Sequence, residues 1–207
     1  LIRNIIFGGC SLTWGQSLHY ESGYKDVVIN QNGFFDSDSL KHRHYQYMID
    51  NRFATKVADY FGRKSIVRAM NGGDNCIIAN LVNKKVNDFT DAIIIQTTSF
   101  SRCNKSIEQQ FDGFLDIIKK YEHKGILVRF IHLDIPIELI PNEILERTIY
   151  FGQSHSFYNL LMDKNSKYSI EYTFKVPDNH FNQDGHNLVS STLIENLISL
   201  LKKPIYK

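Results

Sequence analysis

The chain has 207 residues, 43% of them hydrophobic and 22% charged, which is an ordinary globular composition with enough chain to bury a core without metals or disulfides. Its formal net charge of +2 at pH 7 supplies no electrostatic footprint for nucleic acid, and no apolar run approaches the roughly 18 residues of a membrane span. Cys10, Cys76 and Cys103 are odd in number and lack metal-type spacing, so free thiols are expected.

Arg3-Asn4-Ile5-Ile6-Phe7 reads as a short buried strand, because β-branched and aromatic residues run into the glycine pair Gly8-Gly9, where the backbone turns sharply. Ser11 follows at once, either as the N-cap of a strand-to-helix turn or at the rim of a cleft beyond the strand's carboxyl end. From about residue 16 to 44 the chain is polar and aromatic, longer than the roughly 12–15 residues usual for a loop in a compact domain. That stretch is either a surface excursion or a pocket wall built from His19, Tyr20, Tyr24, Phe34 and Phe35.

Ile49, Phe53, Val57, Tyr60 and Phe61 predict one helix from about Tyr45 to Phe61, ended by Gly62. Ser65 to Met70 reads as a second strand running into Asn71-Gly72-Gly73, and Ile78, Leu81, Val82, Lys85 and Phe89 predict a helix over about Asp74 to Phe89. Asp91 to Gln96 has the continuous β-branched core of a strand covered on both faces. Ile107, Phe111, Phe114, Leu115 and Ile118 give an amphipathic helix over about Lys105 to Glu122, followed by a fourth strand, Ile126 to Leu133. Short helical pieces are expected around Asn142–Arg147 and Phe157–Met162, and Tyr168–Phe174 reads as an extended fifth strand or edge. The last helix runs from about Gln183 to Leu201, with Pro204 beyond it. Strands alternating with helices predict a three-layer α/β/α sandwich with a parallel, flavodoxin-like sheet of about five strands. The expectation is one domain over 1–207 with a loop insertion at about 16–44. With no signal segment in view a cytoplasmic location is the default, and the start at Leu1 leaves a processed terminus open.

Near the far end, Asp178-Asn179-His180 and Gly185-His186 offer what a serine nucleophile needs, a base and a third group to fix the base's tautomer. His180, with Asp178 beside it, and His186 are the two candidate bases, and Asp178 is alternatively a turn-former after Pro177. Asp184 is placed to cap the final helix.

Gly9-Cys10-Ser11-Leu12-Thr13, Asn71-Gly72-Gly73-Asp74-Asn75 and Asp178-Asn179-His180 with Gly185-His186 occur in the order of the SGNH hydrolases, or GDSL-like esterases and lipases, which this sequence resembles. It departs from that pattern at Cys10, where aspartate is usual, in an Asp-to-His gap one residue short, and at Gln96-Thr97-Thr98-Ser99, where Gly-x-Asn-Asp is expected. The resemblance implies the same three-layer fold, with Ser11 as nucleophile, His180 as general base and then acid, and Asp178 orienting the imidazole. It also implies an oxyanion hole from the Ser11 and Gly73 amides, with Thr98 nearest the position of the family's asparagine. Trp14, Asn75, Ser99 and Arg102 are the candidate substrate-binding residues, and Ser99, Arg102 and Asn75 are alternative third donors. The implied activity is serine-esterase hydrolysis of a short, acetyl-like ester through an acyl-enzyme, with a carbohydrate as the expected alcohol; acyl transfer to a sugar hydroxyl and a non-catalytic carbohydrate-binding or assembly protein on the same fold stay open.

No cofactor or metal is expected, and the only partner expected is a small-molecule or carbohydrate ester, with neither nucleic acid nor membrane. His42 and His44, and His132-Leu133-Asp134, lack further clustered ligands and read as structural or solvated, as does the basic patch Lys41-His42-Arg43. Thr13 stands where an α/β-hydrolase elbow needs its second glycine, and no lysine follows the glycines as a phosphate-binding loop requires.

Overall fold

Alternation along the strands builds two cores. In the computed structural model, which describes residues 2–23, 43–176 and 178–201 without the side chains of residues 43 and 44, Ile5 and Phe7 of β1 (Asn4–Gly9) enter one apolar cluster and Ile6 enters another. Strand β3 (Thr90–Thr97) divides in the same way, Ala92 and Ile94 to one side and Ile93 and Ile95 to the other. Both strands are buried on both faces, which is why each reads as an unbroken apolar run. With β2 (Lys64–Ala69) and β4 (Leu127–His132) they form an all-parallel sheet in the order β2-β1-β3-β4.

Helices α3 (Phe53–Tyr60) and α9 (Gln183–Leu197), the latter following the short α6 (Asn142–Leu145), α7 (Tyr158–Met162) and α8 (Ile170–Phe174), cover the Ile5 face through Phe53, Val57, Val189 and Leu193. Helices α4 (Asn75–Asn83) and α5 (Ile107–Tyr121) cover the Ile6 face through Ile78, Val82, Phe111 and Phe114. The result is the expected three-layer sandwich, and the chain reverses its winding between β1 and β3. In open sheets of this kind, ligands bind outside the carboxyl ends at such a switch point.

The sheet has four strands, not five. Tyr168, Ile170, Tyr172 and Phe174 alternate as a strand would, yet Ile170–Phe174 is a short helix with only Ile170 buried, and Ser169 makes a single antiparallel bridge to Phe181. The outer edge of β4 is met instead by two isolated parallel bridges, Phe130 with Thr148 and His132 with Ser156. The long helix expected over Tyr45–Phe61 is two, α2 (Arg43–Asn51) and α3, parted at Arg52, whose ψ of 147° is extended. Phe53 N–H donates to His186 Nδ1 at 3.2 Å, so a distant imidazole takes an amide at the break. The last helix is capped by Asn182, whose side chain accepts from Gly185 N–H at 2.9 Å, and not by Asp184. Tyr24, Phe34, Phe35, Lys41, His42, Pro177 and Pro204 lie outside the described residues, as do the side chains of Arg43 and His44. Among the described residues no helix is long and apolar enough to cross a membrane.

Candidate active site

Strand β1 ends in Gly8-Gly9, and the chain bends through Cys10 into a single helical turn, α1 (Ser11–Trp14). A Cβ on Gly9 would lie 2.1 Å from Thr13 Oγ1, so only glycine allows the turn to fold back this closely. Gln96, at the end of β3, holds the bend from beneath: its Oε1 accepts from Thr13 Oγ1 at 2.8 Å and from Cys10 N–H at 3.3 Å. Ser11 is thereby fixed just beyond the sheet, and as the first residue of α1 its amide has no partner among the described residues.

The loop before α9 brings the other two groups. It is braced by Ile170 N–H donating to His180 O at 2.8 Å and by Asn182 N–H donating to Tyr168 O at 3.0 Å. His180 Nε2 lies 2.7 Å from Ser11 Oγ, and His180 Nδ1 is hydrogen-bonded to Asp178 Oδ1. With Nδ1–H donated to the carboxylate, Nε2 is left bare to accept the Ser11 O–H. The second oxygen of Asp178 accepts from the Ser17 hydroxyl. Burial pushes the Asp178 carboxyl up, but the His180 bond and charge, the Ser17 bond and the charge of His19 outweigh it and hold the group below its usual range.

His186 lies elsewhere. It is fully buried, stacks on Phe53 at 5.7 Å between ring centroids, and burial drives its pKa down to about 3. Of the two candidate bases, the one that meets Ser11 is His180.

A cleft of about 250 Å³ opens over Ser11 and His180. Leu12, Leu133, Leu161 and Met162 give it an apolar wall, and Asn71, Gly72, Arg102, Tyr158 and Asn179 bring polar groups to it. Gly73 is not among the lining residues, and its N–H donates to Met70 O at 3.0 Å, closing a turn. Gly72, inside that turn with φ +68°, does line the cleft, and its amide has no partner among the described residues. Thr98 Oγ1 is buried without a partner among the described residues and lies outside the lining.

Of the four expected substrate contacts, only Arg102 lines the cleft. Trp14 packs against Leu18 and Met48. Asn75 is fully buried and pairs with Thr98, while Ser99 caps the 3-10 turn Phe100–Arg102. His19 and Tyr20 do not line the cleft either. The parts played here by Ser17 and Gln96 were not foreseen, nor was the place at the cleft of the expected helix Tyr158–Met162, because no local spacing links them to the motifs.

His132 is buried between Thr97 Oγ1 (2.8 Å) and Thr148 Oγ1 (2.9 Å), a satisfied core imidazole. Among the described residues one trio has metal-ligand chemistry, Asp74, Cys76 and Cys103, with ligand atoms within 4.8 Å of one another. The two sulfurs are 3.8 Å apart as free thiols, and none of the three lines the cleft.

No family model matches the sequence, and no curated protein matches it. Among solved structures, the chain is similar to a protein assigned to the G-D-S-L lipolytic family from Desulfitobacterium hafniense DCB-2, with a TM-score of 0.57 and 12% identity over 93% of this chain and 98% of that one. A carbohydrate esterase is also matched, with a TM-score of 0.45 and 13% identity over 98% of this chain and 66% of that one. At 12% identity the likeness to the first is one of fold.

Proposed function

We propose, for a chain with the SGNH/GDSL-like hydrolase fold, that it is a serine esterase cleaving a short acyl ester of a carbohydrate. The observation that carries this reading is the 2.7 Å approach of His180 Nε2 to Ser11 Oγ, with Asp178 behind the ring. In the first half-reaction Ser11 Oγ attacks the acyl carbon and passes its proton to His180 Nε2. The tetrahedral intermediate collapses, and His180 returns the proton to the departing alkoxide. Water then attacks the acyl-serine with His180 again as base, releasing the acid and restoring Ser11. Asp178 keeps the proton on Nδ1 and stabilises the imidazolium formed in each half.

The oxyanion needs donors aimed at it, each typically worth on the order of 3–4 kcal/mol. With the Gly73 amide committed to Met70, the amides of Ser11 and Gly72 are two of the cleft-lining donors left unengaged among the described residues. The apolar wall of Leu12, Leu133, Leu161 and Met162 suits a short acyl chain.

The test is labelling by a fluorophosphonate probe and turnover of para-nitrophenyl acetate, in the native protein and in Ser11→Ala and His180→Ala. Both signals are expected in the native protein, with labelling abolished in the Ser11 variant and turnover reduced by roughly three orders of magnitude or more in each. Unlabelled native protein, or labelling that survives in Ser11→Ala, overturns the esterase in favour of a binding protein on the same fold. Turnover that rises steeply with an added sugar acceptor assigns the second step to acyl transfer instead of hydrolysis.

A further inference from the structure

Resting on the esterase reading, we infer that the ester carries an anionic group, a carboxylate or a similar oxyanion, and that Arg102 binds it. Among the described residues Arg102 is the only arginine or lysine lining the cleft, which also holds the imidazole of His180, the thiol of Cys10 and the phenol of Tyr158; it is exposed and makes no ion pair or hydrogen bond through its guanidinium among those residues. No acidic side chain shares the cleft lining. A cation left unpaired beside an apolar wall is the complement of a substrate anion, and its planar fork suits the two oxygens of a carboxylate.

The backbone that carries Arg102 is held from below. Thr98 N–H donates to Asn75 Oδ1 at 2.9 Å, and Asn75 Nδ2 donates to Thr98 O at 3.1 Å. Gln110 Nε2 donates to Phe100 O and to Lys105 O, each at 3.1 Å, and the Phe100 ring stands edge-on to Phe111. Arg102 N–H itself donates to Ser99 O at 3.3 Å. Two buried amide side chains therefore fix both ends of the short turn, and only the arginine side chain remains to be ordered when an anion binds. Less ordering on binding leaves more of the charge-pair energy as affinity. An acetylated sugar acid has the required chemistry, a neutral short acyl group and a nearby carboxylate.

The probes are two matched pairs: para-acetoxybenzoate with its methyl ester, which puts the anion on the alcohol side, and para-nitrophenyl hydrogen succinate with its methyl ester, which puts it on the acyl side. Binding to Ser11→Ala is read by chemical-shift titration, which needs no turnover. The anionic member of at least one pair is expected to bind better than its neutral partner, and Arg102→Gln is expected to cut that preference roughly tenfold. Arg102→Lys should restore part of it by keeping the charge without the fork. In the active protein, the anionic-to-neutral ratio of kcat/KM should fall by a similar factor in Arg102→Gln. A ratio that Arg102→Gln leaves unchanged in both pairs, or no binding by any of the four esters, overturns the subsite. Absent fluorophosphonate labelling would overturn the esterase while leaving the binding result to stand by itself.

Discussion

Asp178 has two carboxylate oxygens, and the chain commits both: one to His180 Nδ1, the other to the hydroxyl of Ser17, 161 residues earlier. Ser17 is fully buried and has φ 72°; with Lys175 at φ 54° it is one of two non-glycine residues of positive φ among the described residues. Left-handed backbone at a residue with a Cβ costs roughly 1–2 kcal/mol, and such strain persists where the surroundings hold it in place. Ser17→Ala is expected to lower kcat roughly tenfold while KM moves by less than about twofold, since a hydrogen bond to a charged group is worth about 1.5–3 kcal/mol. Ser17→Gly should lose as much activity and yet be more stable than Ser17→Ala by about 1 kcal/mol, because it relieves the backbone without restoring the hydroxyl. Equal activity in all three proteins, measured with para-nitrophenyl acetate, would deny Ser17 a part in holding Asp178. The meeting of Ser11, Asp178 and His180, the residues of the proposed triad, could be anticipated because a glycine turn and a short acid–imidazole spacing announce themselves locally. Ser17 was not, since nothing in its neighbours points to a carboxylate at the other end of the chain.

Among the elements, the clamp between α4 and the turn after β3 matters most for the cleft. Asn75 is the first residue of α4, and its side-chain amide meets both the N–H and the carbonyl of Thr98 and also reaches Gln110 Oε1 at 3.2 Å. Asn75→Ala strands buried polar groups on two elements at once, so a loss of about 2–3 kcal/mol is expected in urea unfolding. Asn75→Asp should do no better, because its carboxylate faces Thr98 O and Gln110 Oε1, which need a donor. A loss below about 0.5 kcal/mol in both variants would mean that water replaces the clamp. The helices around this turn were readable from their period, but two features of the fold were not. The apolar spacing of Ile49, Phe53 and Val57 runs straight across the break at Arg52, where His186 takes the Phe53 amide from 133 residues away. Tyr168 to Phe174 alternates over too short a span to tell two residues per repeat from one turn of helix.

For the molecule as a whole, two of the buried imidazoles, His132 and His186, make acid the condition to which the fold answers. Burial lowers the pKa of His132 to about 3, with the nearby His155 adding to the effect, and burial lowers that of His186 to about 3 as well. His186 Nδ1 accepts the Phe53 amide, so its proton sits on Nε2, a buried atom with no partner among the described residues. Unfolded, each histidine would titrate near 6.5. Between that value and about 3 the unfolded chain binds protons that the folded chain refuses, so stability falls as pH falls through this window. At pH 5 each group costs about 2 kcal/mol and the pair about 4 kcal/mol, a large share of the 5–15 kcal/mol typical of a domain. Asp178 acts in a lower window: its depressed pKa contributes stability above about 3.9, which is lost only as pH drops through the folded value. Urea unfolding at pH 7 and at pH 5 separates these contributions. The native protein should lose most of that sum over the interval, while His132→Gln and His186→Gln, each less stable at pH 7, should each lose only about half as much. An interval loss that neither substitution reduces would place the acid-sensitive groups outside both cores.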